Sequence, residues 1–388
     1  MIHMLQSFFF FVGNMFVRRE YDIVFYYPTH FNRGENGKNE FFEPFYEICE
    51  RNDLRYIIFE EPDFEKKTDR NNQAVPFDFP LFLILIFRKI VSLEKFESFQ
   101  HREWYIAEKL KPLLFRKFRF KNYIVLSNSM LGFFRSIDKE ACLYDYQHGV
   151  ITSSHSGYIR NETAAEHIER NKANVLLYGD GFKDVLCRAD KKGYYLDHAF
   201  VIGQRIRGNF RNHFAQKSIL FSLQFSDPNP ILNNKLLEKI VHFFDTYQDF
   251  FIDSGITLLL KHHPRFSHDI DDSALFRYPF THLYKGSLSD ALQQCSLHLT
   301  FHSTTTFEAA AEGIPTLLWE NDLLDPRFFI DDYRYPLGIF DESSLIQKIK
   351  EYLSSERKYL EEAKKVFMWF QHFYSPLDET KFLKLMKE

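Results

Sequence analysis

The chain has few cysteines, almost no net charge and no apolar run long enough to cross a bilayer. Its four cysteines, Cys49, Cys142, Cys187 and Cys295, show no CxxC spacing, which argues against a disulfide framework and predicts reduced thiols in a cytosolic protein. The net charge of −4, from 49 basic and 53 acidic residues, gives no global field to grip a nucleic-acid backbone, so nucleic acid is not an expected partner. The stretches MLQSFFFFVGNMFV and FPLFLILIF fall short of the ~20 residues of a membrane span. The first also lacks the basic flank and cleavage site of a secretory signal. It reads as a core or interfacial segment, and the second stops at Arg88-Lys89. There is no internal repeat, no low-complexity segment and no Asp-x-Asp motif in a plausible site, and no metal is expected.

What is present is length and apolar content. At 388 residues and 45% hydrophobic, the chain predicts two cores and two domains. Strand-like runs alternate with helical ones from Tyr21 onward: YDIVFYY, FFEPFYEICERN, RYIIFEE, and later NYIVLSN, ACLYDYQ and NVLLYGDG. This βαβ signature means a parallel sheet. The basic stretch RIRGNFRNHFAQK, residues 205–217, interrupts it and reads as a linker. The alternation then restarts with SILFSLQF, GITLLLKHHP, LHLTFHS and IPTLLW, and helices close the chain. The expectation is α/β, two doubly wound Rossmann-like domains, 1–204 and 218–388, facing a central cleft. The basic, aromatic stretch KPLLFRKFRFKN, Lys111 to Asn122, reads either as a contact with an anionic membrane surface or as a solvated helix covering the first sheet.

Ligands of open α/β sheets lie beyond the carboxyl ends of the strands, and polar clusters fall at those ends. In LLLKHHPR, Pro264 ends a strand and places His263, with Lys261 and Arg265 beside it, where a phosphate would suit. In TFHSTTTFEAAAEGIP, Ser303, Thr304 and Thr305 precede a helix, with Glu308 in its first turn and Gly313 at its end. Each cluster is also explicable without a ligand, as a solvated strand end and as an ordinary helix cap. In YDYQHGVITSSHSGY, His148 stands at a strand tip with Gln147 and Gly149 beside it and His155 seven residues on; its imidazole can take a proton from an acceptor hydroxyl, and Gln147, Gly149 and His155 are the expected acceptor contacts.

KHHP followed by HSTTTFEAAAEGIP resembles the nucleotide-binding half of GT-B glycosyltransferases, more narrowly the bacterial sialyltransferases and Kdo transferases of capsule and lipopolysaccharide synthesis. The resemblance spans roughly residues 218–320. It implies a CMP-linked sugar as donor substrate, no cofactor, and His263, Pro264, Ser303 and Thr304 as partners of the CMP phosphate. YGDG resembles the motif carrying the sialyltransferase general base, which makes Asp180 a candidate, although Gly179 stands where a first acid is expected. The teichoic-acid polymerases, which use CDP-glycerol, have a similar His-Pro arrangement and a His-Gly base that His148-Gly149 is similar to. The expected activity is therefore inverting, metal-independent sugar transfer to a glycan or lipid-linked glycan in the cytoplasm, in peripheral contact with the inner face of the membrane. Alditol-phosphate transfer and a non-catalytic nucleotide-sugar-binding protein are the alternatives.

Overall fold

The computed structural model describes residues 2–63, 69–205, 208–225, 229–263 and 270–387. The chain divides into two compact units, residues 1–205 with 375–388, and residues 206–374. The strands of the first are β1 (Arg19–Pro28), β2 (Tyr56–Glu61), β3 (Val75–Pro76), β4 (Phe118–Leu126), β5 (Cys142–Tyr146), β6 (Ile159–Arg160), β7 (Thr163–Ala164), β8 (Ala173–Leu177) and β9 (Ala199–Val201). Seven of them form a parallel sheet in the order β3-β2-β1-β4-β5-β8-β9, while β6 and β7 pair as a separate antiparallel ladder. A parallel sheet covered on both faces needs strands that are apolar at successive positions. Ile23 to Tyr27, all fully buried, meet that need.

The second unit repeats the plan with β10 (Ser218–Ser222), β11 (Thr257–Lys261), β12 (Thr281–Leu283), β13 (Leu297–Thr300), β14 (Thr316–Trp319) and β15 (Ile339–Phe340), in the order β12-β11-β10-β13-β14-β15. The helix Pro230–Ser254 starts at Asn229, whose side chain accepts from the Ile231 N–H, with Pro230 in its first turn, and stops at left-handed Gly255. Between these caps it lays Ile240, Phe243 and Phe244 on the sheet; Phe243 packs 4.6 Å from the Trp319 ring. Truncating such a buried ring to alanine costs about 3–5 kcal/mol. Both sheets are therefore Rossmann-like. Their order reverses at β1/β4 and at β10/β13, the switch points where such folds bind ligands.

Three expectations need correction. Residues 375–387 belong to the first unit, although the sequence assigns them to the second domain. The Ser375 N–H donates to the Tyr178 carbonyl, the Gln204 N–H to the Ser375 carbonyl, and Phe382 is fully buried against Phe45. Gly203, at φ 77°, makes this approach possible, because a Cβ there would lie 2.1 Å from the Pro376 carbonyl oxygen. The stretch read as a linker is, from residue 208, docked on the second unit: the Asn209 and Arg211 N–H groups donate to the Ala311 and Glu312 carbonyls. Finally, Lys111–Asn122 is not one helix covering the sheet: it is the last turn of the helix Phe99–Leu114 followed by β4, a central strand. No helix among the described residues is long and apolar enough to cross a membrane.

Candidate functional site

In the first unit the loops after β1, β4, β5 and β8 bring together the groups around His148. Its ring meets the edge of Phe31 at 5.2 Å. Burial, with the nearby His155, His30 and Arg33, pushes its pKa down to about 4, so it is neutral at pH 7. Its Nδ1 is buried and has no hydrogen-bond partner among the described residues. An unpaired buried nitrogen is uncommon and calls for an explanation such as a ligand. The turn carrying it is held by Gln147, whose Nε2 donates to the Gly149 carbonyl at 2.7 Å and whose Oε1 accepts the Tyr178 N–H at 2.9 Å. Gln147 thus positions the turn; the expectation that it binds acceptor meets an amide already used at both ends.

Gly149 is exposed, its backbone is not left-handed, and a Cβ there would meet open space. The turn itself therefore does not require glycine. His155 Nδ1 accepts the Gly157 N–H at 3.2 Å, and burial lowers its pKa. Asp180 is exposed in the first turn of the helix Asp180–Ala189, which Gly179 precedes without a side-chain cap. Since β5 and β8 are neighbours joined through Gln147 and Tyr178, His148 and Asp180 stand at adjacent strand ends.

Sequence reasoning missed the support beneath this loop. Asp145, fully buried in β5, accepts the Asn128 N–H at 2.7 Å and the Tyr158 hydroxyl at 2.7 Å, and desolvation raises its pKa to about 7. Ser127, Asn128 and Met130, in the turn after β4, all have positive φ. Such left-handed non-glycine residues are costly and cluster at functional sites. The Asn128 amide also donates to the Gly157 carbonyl at 3.1 Å, tying this turn to the His155 loop. The polar run SNS offered a faint signal.

In the second unit the switch point is a polar network. Gln224, beyond β10, accepts on Oε1 from the His302 N–H at 2.9 Å and the Thr300 hydroxyl at 3.0 Å. Its Nε2 therefore faces His302 Nδ1, 2.6 Å away. Nδ1 is the acceptor and the ring proton sits on Nε2. Burial lowers the His302 pKa and keeps this neutral form. Beneath it, fully buried His298 bonds Ser222 at 2.8 Å and Thr316 at 2.9 Å, with its pKa pushed down to about 3.

Ser303 Oγ accepts the Thr305 N–H at 3.3 Å in the turn that enters the short helix Thr305–Ala311, a bond that does not use its own hydroxyl proton. Thr304 is exposed and makes no side-chain cap; Thr305 Oγ1 lies 3.3 Å from His298 Nε2. Glu308 is exposed at its surface, yet the protein around it excludes enough water to push its carboxyl up to about 7. Strand β11 ends at Lys261, two residues before His263, which is half-buried. The Lys261 ammonium donates to the Gly286 carbonyl at 2.6 Å, so it already has a structural partner. Pro264 and Arg265 lie outside the described residues. Beyond β14, a cavity of about 310 Å³ is lined by Glu320, Asn321, Asp322, Asp325 and Arg327. Among the described residues, no three His, Cys, Asp or Glu side chains are grouped to hold a metal ion.

The sequence matches no protein-family model and no curated protein. Solved structures to which the chain is similar include the glycotransferase of kitacinnamycin, at 11% identity and TM-score 0.49, covering 95% of this chain and 99% of that one. A UDP-GlcNAc 2-epimerase of Methanocaldococcus jannaschii is similar at 11% and 0.48, covering 90% and 98%. The wall teichoic acid polymerase TagF is similar at 11% and 0.46, covering 99% and 92%. The chain spans 59% of the length of TarM, another similar structure.

Proposed function

We propose that the chain is a GT-B glycosyltransferase whose second unit holds the phosphate of a nucleotide-sugar and whose first unit presents His148 to an acceptor hydroxyl. The observation that carries this reading is the Gln224–His302–Ser303 cluster at the β10/β13 switch point. Gln224 fixes the His302 ring with Nε2–H as a donor, and Ser303 keeps a hydroxyl proton. A neutral, preorganised set of donors suits a phosphate, whose charge they stabilise at no reorganisation cost. His263, at the end of the neighbouring strand, adds an imidazole. The carboxylates of the cavity beyond β14 are acceptors suited to the hydroxyls of a ribose or sugar.

In the reaction proposed, the acceptor oxygen bonds to the anomeric carbon, the bond from that carbon to the phosphate oxygen breaks, and the nucleotide leaves with the electron pair. His148 takes the acceptor proton. At a pKa of about 4 it is neutral but weakly basic; an anion bound beside it would raise its basicity. The donor is a CMP-activated sugar of the sialic acid or Kdo type, on the strength of the His-Pro and Ser-Thr resemblance. His148-Gly149 favours a second reading, transfer of glycerol phosphate from CDP-glycerol.

Purified protein offered CMP-sugars, CDP-glycerol and UDP-sugars in turn decides among these. CMP release from a CMP-sugar supports the first reading, and release from CDP-glycerol alone supports the second. Turnover of UDP-sugars alone removes the cytidine assignment. No turnover of any donor leaves a nucleotide-sugar-binding protein.

A further inference from the structure

The helix Ile2–Gly13 turns one polar side chain, Ser7, inward, while its other polar residues, His3 and Gln6, are exposed alongside the apolar ones. Its buried side chains are Ser7 and Phe11, and Asn14 follows them on the same face. Ser7 Oγ accepts the Phe79 N–H at 2.9 Å, and the Asn14 amide donates to the Leu114 carbonyl at 3.0 Å and accepts from Arg19 at 3.1 Å. These bonds fix the rotation of the helix and leave Ile2 (69% exposed), Leu5 and Phe9 (69%) along the outer face at helical spacing, with Phe16 (70%) beyond. The packed neighbour Asp78–Ile90 likewise exposes Phe82, Leu85 and Ile90. Ring contacts Phe9–Phe8 at 5.5 Å and Phe8–Phe79 at 5.0 Å join the two helices. Single exposed apolar residues are ordinary, but a contiguous set from two packed helices marks an interaction surface.

The charge around this face is net positive, although Arg18 already pairs with Glu20. Segments 2–22 and 78–121 together hold twelve basic and seven acidic residues, in a chain whose net charge is −4. The Lys117 ammonium donates to the Phe16 carbonyl at 2.9 Å, which sets the exposed Arg116-Lys117 pair beside Phe16 and Val17. Arg18 follows Val17, and exposed Lys89 precedes Ile90.

We propose that this face docks on an anionic lipid bilayer, lying at headgroup depth with its apolar side chains in the acyl boundary and Arg18, Lys89, Arg116 and Lys117 on lipid phosphates. Neither helix is long and apolar enough to span, so the contact is parallel to the surface. Charge favours a bilayer over a second copy, since two such faces would bring their basic rims together. The proposal is independent of the reaction assigned above.

The test is flotation of the whole protein with phosphatidylcholine vesicles and with vesicles containing phosphatidylglycerol. The expected result is binding to the anionic vesicles, weakened by salt. Phe9→Asp with Phe82→Asp should lower the partition coefficient at least tenfold. Lys89→Glu with Arg116→Glu should lower it by about fivefold or more per charge; all four residues are exposed, so the fold is retained. Failure of the parent to float, or variants that float as the parent does, overturns the proposal. A parent that ignores vesicles but elutes as a dimer broken by Phe9→Asp assigns the face to a second copy instead.

Discussion

Gln224 holds both the backbone and the ring of His302: its Oε1 accepts the main-chain N–H at 2.9 Å and its Nε2 faces Nδ1 at 2.6 Å. One amide from the end of β10 therefore sets the tautomer of an imidazole beyond β13, and with it the donor that a phosphate would meet.

Replacing that amide has two separable consequences. Gln224→Leu leaves the His302 N–H without its acceptor and should cost about 1–3 kcal/mol of stability in urea denaturation. Gln224→Glu places a carboxylate against Nδ1, which favours the imidazolium. The His302 pKa, lowered by burial in the parent, should rise in that variant. An NMR titration of the ring proton checks this.

Asp145 should impose a pH dependence on folding. Its folded pKa is raised to about 7, whereas an unfolded aspartate titrates near ~3.9. Between these values the folded state holds the extra proton, so Asp145 makes stability fall as pH rises from about 4 to 7, by on the order of a few kcal/mol. His148 and His298, with folded pKa values lowered to about 4 and 3, act oppositely and cost stability as pH falls below ~6.5. Only the difference between Asp145→Asn and the parent isolates the carboxyl. Denaturation at pH 5 and pH 7.5 should show the variant gaining on the parent at the higher pH. An equal difference at both pH values contradicts the assignment.

The turn after β4 stores strain that a glycine would relieve. Ser127 sits at φ 64°, a conformation glycine adopts without penalty. Ser127→Gly should change stability by no more than about +1 kcal/mol. It should also lower turnover, because the loop holding Asn128 against Gly157 loses definition. Thermal denaturation and a transfer assay read the two effects separately.

Much of this was legible in the sequence. Apolar runs such as YDIVFYY and SILFSLQF marked the strands, and the polar clusters QHG and HSTTT stand at the carboxyl ends of β5 and β13. What was not legible is which polar groups the fold consumes. Gln147, Lys261 and the Ser303 oxygen each have a structural partner, and those partners follow from tertiary placement alone. Gln224 and His302 are 78 residues apart and meet only because β10 and β13 are neighbours. The sequence SNS contains no glycine, so its left-handed turn gave little warning. The helix Glu379–Lys387 is amphipathic in any context, and nothing local says that its Phe382 belongs with Phe45 in the first unit.

In the reaction proposed, His148 and Asp180 are the two candidates for the base; His148 is half-buried and Asp180 exposed. His148→Ala should reduce single-turnover rate by ~10²–10⁴-fold with donor saturating, while Asp180→Ala should change it little. The reverse ranking would hand the role to the carboxylate.

The most direct test of the central claim is titration calorimetry of the parent, Ser303→Ala, His302→Phe and His148→Ala with CMP, CDP, UDP and GDP. The account predicts saturable binding with a cytidine nucleotide tightest, weakened about tenfold or more by Ser303→Ala and His302→Phe, since hydrogen bonds to a charged group are worth ~1.5–3 kcal/mol, and unchanged by His148→Ala. Binding of no nucleotide, or equal binding by all four proteins, would contradict it.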